Sequence, residues 1–257
     1  MSKVLKGGYE NEFQKRFLKT FEKLAYRHSP WSVWSDFIFM SAISISSCLD
    51  ESNREAREKT YQSIAKKYSG EELDLLASLL AVLVEALEAD PDQDFLGALY
   101  MKLNLGNDNT GQFFTPYHVC ELMAKMTSVG KVEDWISVND PACGAGGLLI
   151  AYANECRSQH VNYQTSVLFV GQDIDPVVGL MCYIQLSLLG CPGYVVIDDS
   201  IKNPIQSYDS KGLLPVMSER VWLTPVFFHS IWIYRRMVAR LKLGDHKPQG
   251  EVPEVKA

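Results

Sequence analysis

Apolar residues in the first hundred positions recur every three or four residues. Phe13, Phe17, Phe21 and Leu24 share one helical face. The stretch SPWSVWSDFIFMSAISISSCL predicts a second helix, with Ser29-Pro30 as a cap followed by a first-turn proline. NREAREKTYQSIAKKY and GEELDLLASLLAVLVEALEAD predict two more, with Gly70 between them and Pro91 after the second. Residues 10–105 thus read as helical throughout, in four or five segments, without internal repeats or low-complexity tracts.

The pattern changes after LGNDNTG. WISVNDPACGAGG reads as a short strand and a glycine turn, SVLFVGQDIDP as a second strand and GYVVIDDSI as a third, with helical stretches at 147–158 and 176–189 between them. This alternation predicts an α/β fold with a parallel doubly wound sheet. Ligands of such sheets sit beyond the C-terminal ends of the strands. The expected division is a helical domain over 1–108 and a sheet domain over 109–257 that closes in a short basic tail.

Composition narrows the class. A chain of 257 residues, 47% hydrophobic, has ample material for a full α/β domain and a smaller region. Its six cysteines form no C-x-x-C pair and have no histidine at zinc-finger spacing, so neither a metal site nor a disulfide framework is expected. A reduced, cytoplasmic protein is the expectation. The opening MSKVLKGGYENEF lacks the apolar core of a signal peptide. The most apolar run, Leu73 to Leu87, carries Asp74 and Glu85 and is shorter than the roughly 20 residues of a span, so no membrane segment is expected. Net charge is −6, yet from Ile201 onward nine Lys or Arg stand against five Asp or Glu. The basic stretch RRMVARLKLGDHK has the charge to meet a phosphate backbone, although such runs are more often solvated faces.

All three predicted strands end in acids: Asp140 before the glycine turn, Asp173 and Asp175 in GQDIDP, Asp198 and Asp199 in VIDDSI. A phosphate, a dinucleotide and a methyl donor are the candidate ligands of such a turn. Clustered acids repel a polyphosphate. No lysine follows the glycines, which excludes a P-loop, and the packed G-A-G-G departs from the dinucleotide fingerprint G-x-G-x-x-G. Taken alone, the turn is equally consistent with a tight strand-to-helix connection that holds nothing.

Three motifs in order change that balance. GQFFTP at 111–116, then DPACGAGG, then GQDIDP resemble the methyl-donor site of N6-adenine DNA methyltransferases, most closely the modification subunits of type I restriction systems. DFLGALYMKL just upstream resembles the end of that family's helical N-terminal domain. The resemblance covers roughly residues 90–201 well and the helical region loosely. It implies a Rossmann-like sheet that binds S-adenosyl-L-methionine without a metal. Asp140 and the open backbone from Ala142 through Cys143, Gly144 and Gly146 to Gly147 would receive the methionine end. Asp173 would accept both ribose hydroxyls and Asp199 the adenine amino group. Gly111 and Gln112 lead into Phe113, Phe114, Thr115 and Pro116, which would close over the donor from the helical side. Asp175 and Asp198 read as capping or solvated acids.

The family also carries an Asn-Pro-Pro-aromatic motif after a fourth strand, which grips the exocyclic amine of a flipped base. It has no clear counterpart here. Asn203-Pro204 follows Asp199 so soon that it reads as a turn. WLTPVFF would set Thr224, Pro225, Val226 and Phe227 in the motif's place, with Thr224, Pro225 and Phe227 as the candidate catalytic residues. The alternative for that stretch is a buried edge strand. The short stretch after Phe228 leaves little room for a target recognition domain, so a separate specificity subunit is expected to read the DNA, in a homo- or hetero-oligomer. Two functions follow. One is a DNA adenine methyltransferase that works with such a partner. The other is a catalytically silent donor-binding module that assembles with, or interferes with, DNA modification and restriction proteins.

Overall fold

The computed structural model describes residues 11–47, 49–105, 114–128, 130 and 132–244. Five helices come first: α1 (Glu12–Ala25), α2 (Pro30–Ser46), α3 (Arg54–Ala65), α4 (Gly70–Ala89) and α5 (Phe95–Lys102). Their starts obey local chemistry. The Ser29 hydroxyl accepts the Ser32 N–H ahead of Pro30. Ser69 and Glu72 form a reciprocal capping box, so Gly70 opens α4 rather than merely preceding it.

After α6 (Tyr117–Thr127), a helix the periodicity reading did not single out, the alternation begins. It runs β1 (Ile136–Asp140), α7 (Gly147–Ser158), α8 (Tyr163–Ser166), β2 (Val167–Asp173), α9 (Pro176–Leu188), β3 (Gly193–Ile197), β4 (Val221–Leu223), a 3-10 turn at Pro225–Phe228 and α10 (Ser230–Gly244). The order in the sheet is β1-β2-β3-β4. The first three strands are parallel, joined through α7 and α9, and make the Rossmann-like α/β unit the sequence predicts. The fourth departs from it. β4 runs antiparallel to β3, with Leu223 opposite Tyr194 and Val221 opposite Val196. A parallel return needs a crossover, usually a helix. Residues 198–220 contain none, only turns and one isolated bridge between Ser207 and Pro215.

One apolar cluster runs without a break from Phe17 and Trp34 in the leading helices to Leu149, Phe169 and Ile184 around the sheet. The helical region and the sheet therefore share a core. α9 lies between α2 and the strands and is buried from Val177 to Ser187. The opposite face of the sheet buries Leu168, Val170, Tyr194 and Val221 under Phe227 and Trp232. The basic stretch expected as a tail is helical as far as Gly244. Arg235 pairs with Asp134 at 2.9 Å, and the Arg236 guanidinium lies 4.0 Å over the Phe227 ring. At the sheet's far edge the buried Arg57 pairs with Asp50 at 3.0 Å, donates to the Val221 carbonyl at 3.0 Å and stacks 3.7 Å over Trp222. No helix among the described residues is long and apolar enough to cross a membrane.

Candidate functional site

Because β1, β2 and β3 are parallel and nearly in register, their acids reach one edge of the sheet. Asp140 stands beside Gly171, and Asp173 beside Ile197, with Asp198 and Asp199 directly after. The glycine turn follows β1. Gly144 and Gly146 adopt φ of +55° and +95°, and a Cβ on Gly146 would come within 2.9 Å of the Cys182 sulfur. Glycine is required there for both reasons.

The turn is laced to its neighbours. Asp140 Oδ1 accepts the Ala142 N–H at 3.1 Å, and Asp173 Oδ2 accepts the Gly144 N–H at 2.9 Å. Cys143 donates to the Gln172 carbonyl at 2.9 Å and Gly146 to the Cys143 carbonyl at 2.8 Å. Ala142, Cys143, Gly144 and Gly146 thus turn their N–H groups inward, and the open backbone expected over Ala142–Gly147 is not open at those four donors. The compact G-A-G-G turn closes on itself and on β2.

A cleft of about 240 Å³ lies over the turn, with Asp140, Ala142, Cys143 and Gly144 on one side and Phe114 and Thr115 on the other. Phe114 packs against Tyr100 of α5, ring centroids 5.1 Å apart, and a Cβ on Gly144 would touch its ring at 3.4 Å. Pro116 occupies the cap position of α6. Gly111, Gln112 and Phe113 lie outside the described residues. Asp173 bounds the turn from behind, its second oxygen accepting the Asp175 N–H at 3.0 Å. Asp199 stands one strand further on, with its Oδ1 accepting from Ile201 at 2.9 Å and Lys202 at 3.1 Å. Asp175 caps α9 through Val177 and Val178, and Asp198 pairs with Arg220.

Sequence reasoning missed Asp94 and Gln185. Asp94 caps α5 and lines the cleft from the helical side. Gln185, wholly buried in α9, donates to Asp94 Oδ1 at 2.8 Å and to the Ala145 carbonyl at 2.8 Å, and accepts the Leu96 N–H at 3.0 Å. One signal was present: a lone amide in the apolar run PVVGLMCYIQLSL must find partners when buried.

The electrostatics favour a cationic guest. Burial pushes the carboxyls of Asp94, Asp140 and Asp173 upward, and Asp173 adds repulsion at Asp140. N–H groups oppose this: Ala142 at Asp140, Asp175 and Gly144 at Asp173. Among the described residues no Lys, Arg or His lines the cleft. At the end of β3 the balance reverses, the Asp199 N–H holding Asp198 low and the Ile201 and Lys202 N–H groups holding Asp199 low.

Thr224, Pro225 and Phe227 are not brought to this cleft. β4 is antiparallel, so its last residue meets the first residues of β3, and the chain leaves at the opposite end of the sheet. There Thr224 is wholly buried, its hydroxyl accepting the Gly193 N–H at 2.9 Å and donating to the Cys191 carbonyl at 2.7 Å. Pro225 opens the 3-10 turn, and Phe227 packs edge-on to Tyr194. The buried edge strand is the arrangement found. Asn203 does stand on the cleft side of the sheet, within a turn whose N–H bonds the Asp199 carbonyl at 2.8 Å.

Comparison with known proteins gives a consistent family. The model of the N-6 DNA methylase family matches residues 92–230. The type I restriction enzyme MjaIX methylase subunit of Methanocaldococcus jannaschii is 26% identical over 140 residues, which is 53% of this chain and 23% of that protein. The type II restriction enzyme and methyltransferase RM.BcgI of Heyndrickxia coagulans is 34% identical over 89 residues, covering 33% of this chain and 14% of that one. This chain therefore spans under a quarter of the length of these relatives. The solved methyltransferase subunit of a type I restriction-modification system from Streptococcus thermophilus aligns with a TM-score of 0.41 at 15% identity, over 77% of this chain and 60% of that one.

Proposed function

We propose that the cleft of this chain, which belongs to the N-6 DNA methylase family, binds S-adenosyl-L-methionine and serves adenine N6 methylation of DNA together with a separate specificity subunit. The donor has an amino acid end, a ribose diol and an adenine, and no phosphate. The residues fit it. Gly144 and Gly146 take left-handed backbone where a side chain would fill the turn, and the acids offer acceptors to hydroxyls and amines. In this reading Asp140 and the turn at Ala142, Cys143, Gly144 and Gly146 hold the amino acid end, Asp173 the diol and Asp199 the adenine. Phe114, Thr115 and Pro116 cover the donor. Bound there, the donor supplies an activated methyl group.

The observation that carries the reading is the joining of the two strand ends: Asp173 accepts the N–H of Gly144, inside the turn that Asp140 begins. Calorimetry with S-adenosylmethionine and S-adenosylhomocysteine, without metal, tests it. Binding is expected for the wild type, and its absence overturns the reading.

A second reading rests on Thr224. Its hydroxyl is committed to Gly193 and Cys191 at the far end of the sheet, so the segment assigned to grip the amine is remote from the donor. Donor binding by this chain, with the amine acceptors on another chain or with no transfer at all, accounts for that placement. Transfer of labelled methyl to unmethylated DNA, with the chain alone and with candidate partner subunits, separates the outcomes. Robust transfer by the chain alone overturns the second reading. Transfer only with a partner supports acceptors on another chain, and none under any condition leaves donor binding as the function.

A further inference from the structure

One acid of the cleft has no part in that reading, Asp94. Its Oδ1 accepts two hydrogen bonds, from the Gly97 N–H at 2.8 Å and from Gln185 Nε2 at 2.8 Å. Its Oδ2 lies between the first turn of α5 and α7, 2.0 Å from the place a Cβ on Gly97 would take and 3.4 Å from that on Gly147, and Gly147 lines the same cleft as Asp140. Capping α5 needs only a side-chain oxygen, which Ser or Asn provides as well. A carboxylate at this depth costs desolvation that a neutral cap avoids.

Gln185 makes the placement rigid. It spends both amide hydrogens, on Asp94 and on the Ala145 carbonyl, and its oxygen takes the Leu96 N–H. One buried amide thus ties the cap of α5 to the glycine turn. The turn's N–H groups at Ala142, Cys143, Gly144 and Gly146 are used inward, so those four offer nothing to a guest. A group with several N–H donors and a positive charge finds carboxylates on both sides.

We propose that Asp94 is a donor-binding residue that receives, together with Asp140, the ammonium of the donor's amino acid end, and that Gln185 is the positioning residue that aims it. This rests on the reading of the cleft as a methyl-donor site and extends it across the junction between the helical region and the sheet. It assigns the charge of the amino acid end to α5, which contributes nothing to the ribose or the adenine.

The test uses two probes on the full chain. S-adenosylhomocysteine carries the ammonium, whereas 5′-methylthioadenosine keeps the adenosine and lacks the amino acid end. Asp94→Asn preserves size and capping and removes the charge. It is expected to weaken S-adenosylhomocysteine about tenfold or more by calorimetry while 5′-methylthioadenosine binds as it does to wild type. Gln185→Leu should shift the same ratio in the same direction. Should Asp94→Asn fold poorly, Asp94→Ser, which keeps a cap oxygen, serves instead, with the thermal melt as the check on folding. Equal S-adenosylhomocysteine affinity in wild type and variant overturns the proposal. So does an equal loss for both probes, which would make Asp94 a support of the turn alone. A wild type that binds neither probe defeats the methyl-donor reading itself, an outcome distinct from either.

Discussion

The N–H of Gly144 is held by Asp173 Oδ2 at 2.9 Å, so the acid that ends β2 also closes the turn that follows β1. One carboxylate serves two strand ends. Asp173→Ala removes the proposed diol acceptor and the lock on the turn together. S-adenosylhomocysteine affinity should fall about tenfold or more, the scale of a lost hydrogen bond to a charged group. Asp173→Asn, which keeps an oxygen for Gly144, should lose less than Asp173→Ala. Calorimetry showing equal affinity for wild type and Asp173→Ala would place the ribose elsewhere.

Gly146 has φ +95°, and a Cβ there meets the Cys182 sulfur at 2.9 Å. Gly146→Ala should destabilise the fold by about 1–3 kcal/mol through backbone strain, with the close contact in addition. It should also weaken the donor, because α7 starts at the next residue. Urea unfolding checks the first effect and calorimetry the second. A variant as stable as wild type would show that the turn tolerates a side chain.

Thr224→Ala leaves the buried Gly193 N–H without its side-chain acceptor. The expected cost is about 1–3 kcal/mol of stability, read as a lower melting temperature, with S-adenosylhomocysteine affinity unchanged. Loss of donor affinity at unchanged stability would contradict the structural role derived from β4.

Burial raises Asp140 above the ordinary carboxyl value, which is about 4. Just above that pH the native, ligand-free protein binds more protons than the unfolded chain, so this group's contribution to stability falls as pH rises through the window. Donor binding has the opposite sign, since the ammonium requires ionised carboxylates and affinity falls as pH drops into the same window. Asp94 and Asp173 share the upward direction and reinforce both trends. Without ligand at neutral pH, Asp140→Asn should be at least as stable as wild type, and S-adenosylhomocysteine should raise its melting temperature less. A variant that gains as much from ligand as wild type would remove Asp140 from the site.

Most of the secondary structure was legible because its causes are local. Helical spacing at Phe13, Phe17, Phe21 and Leu24 needs no distant contact, and neither do the caps at Ser29 and Asp175. The strand ends were marked by acids and glycines that interrupt apolar runs. α10 was harder to read, because Arg235, Arg236, Arg240 and Lys242 draw attention from Ile233, Met237 and Leu241 at helical spacing. Three residues, Val221–Leu223, carry too little pattern to state a direction.

By itself, then, the chain determined the leading helices and the strand–helix alternation as far as β3, the acidic edge of a parallel sheet and the glycine turn, since each follows from periodicity and from residue types within a few positions. Only the tertiary structure decided which way β4 runs, and so at which end of the sheet Thr224 lies. It alone brought Asp94 to Gln185, 91 positions apart in sequence. Pairing direction depends on the path of a loop without a helix, and a buried amide's partners depend on which helix packs over it. Both are properties of packing between remote segments, for which no local pattern in the chain has a counterpart.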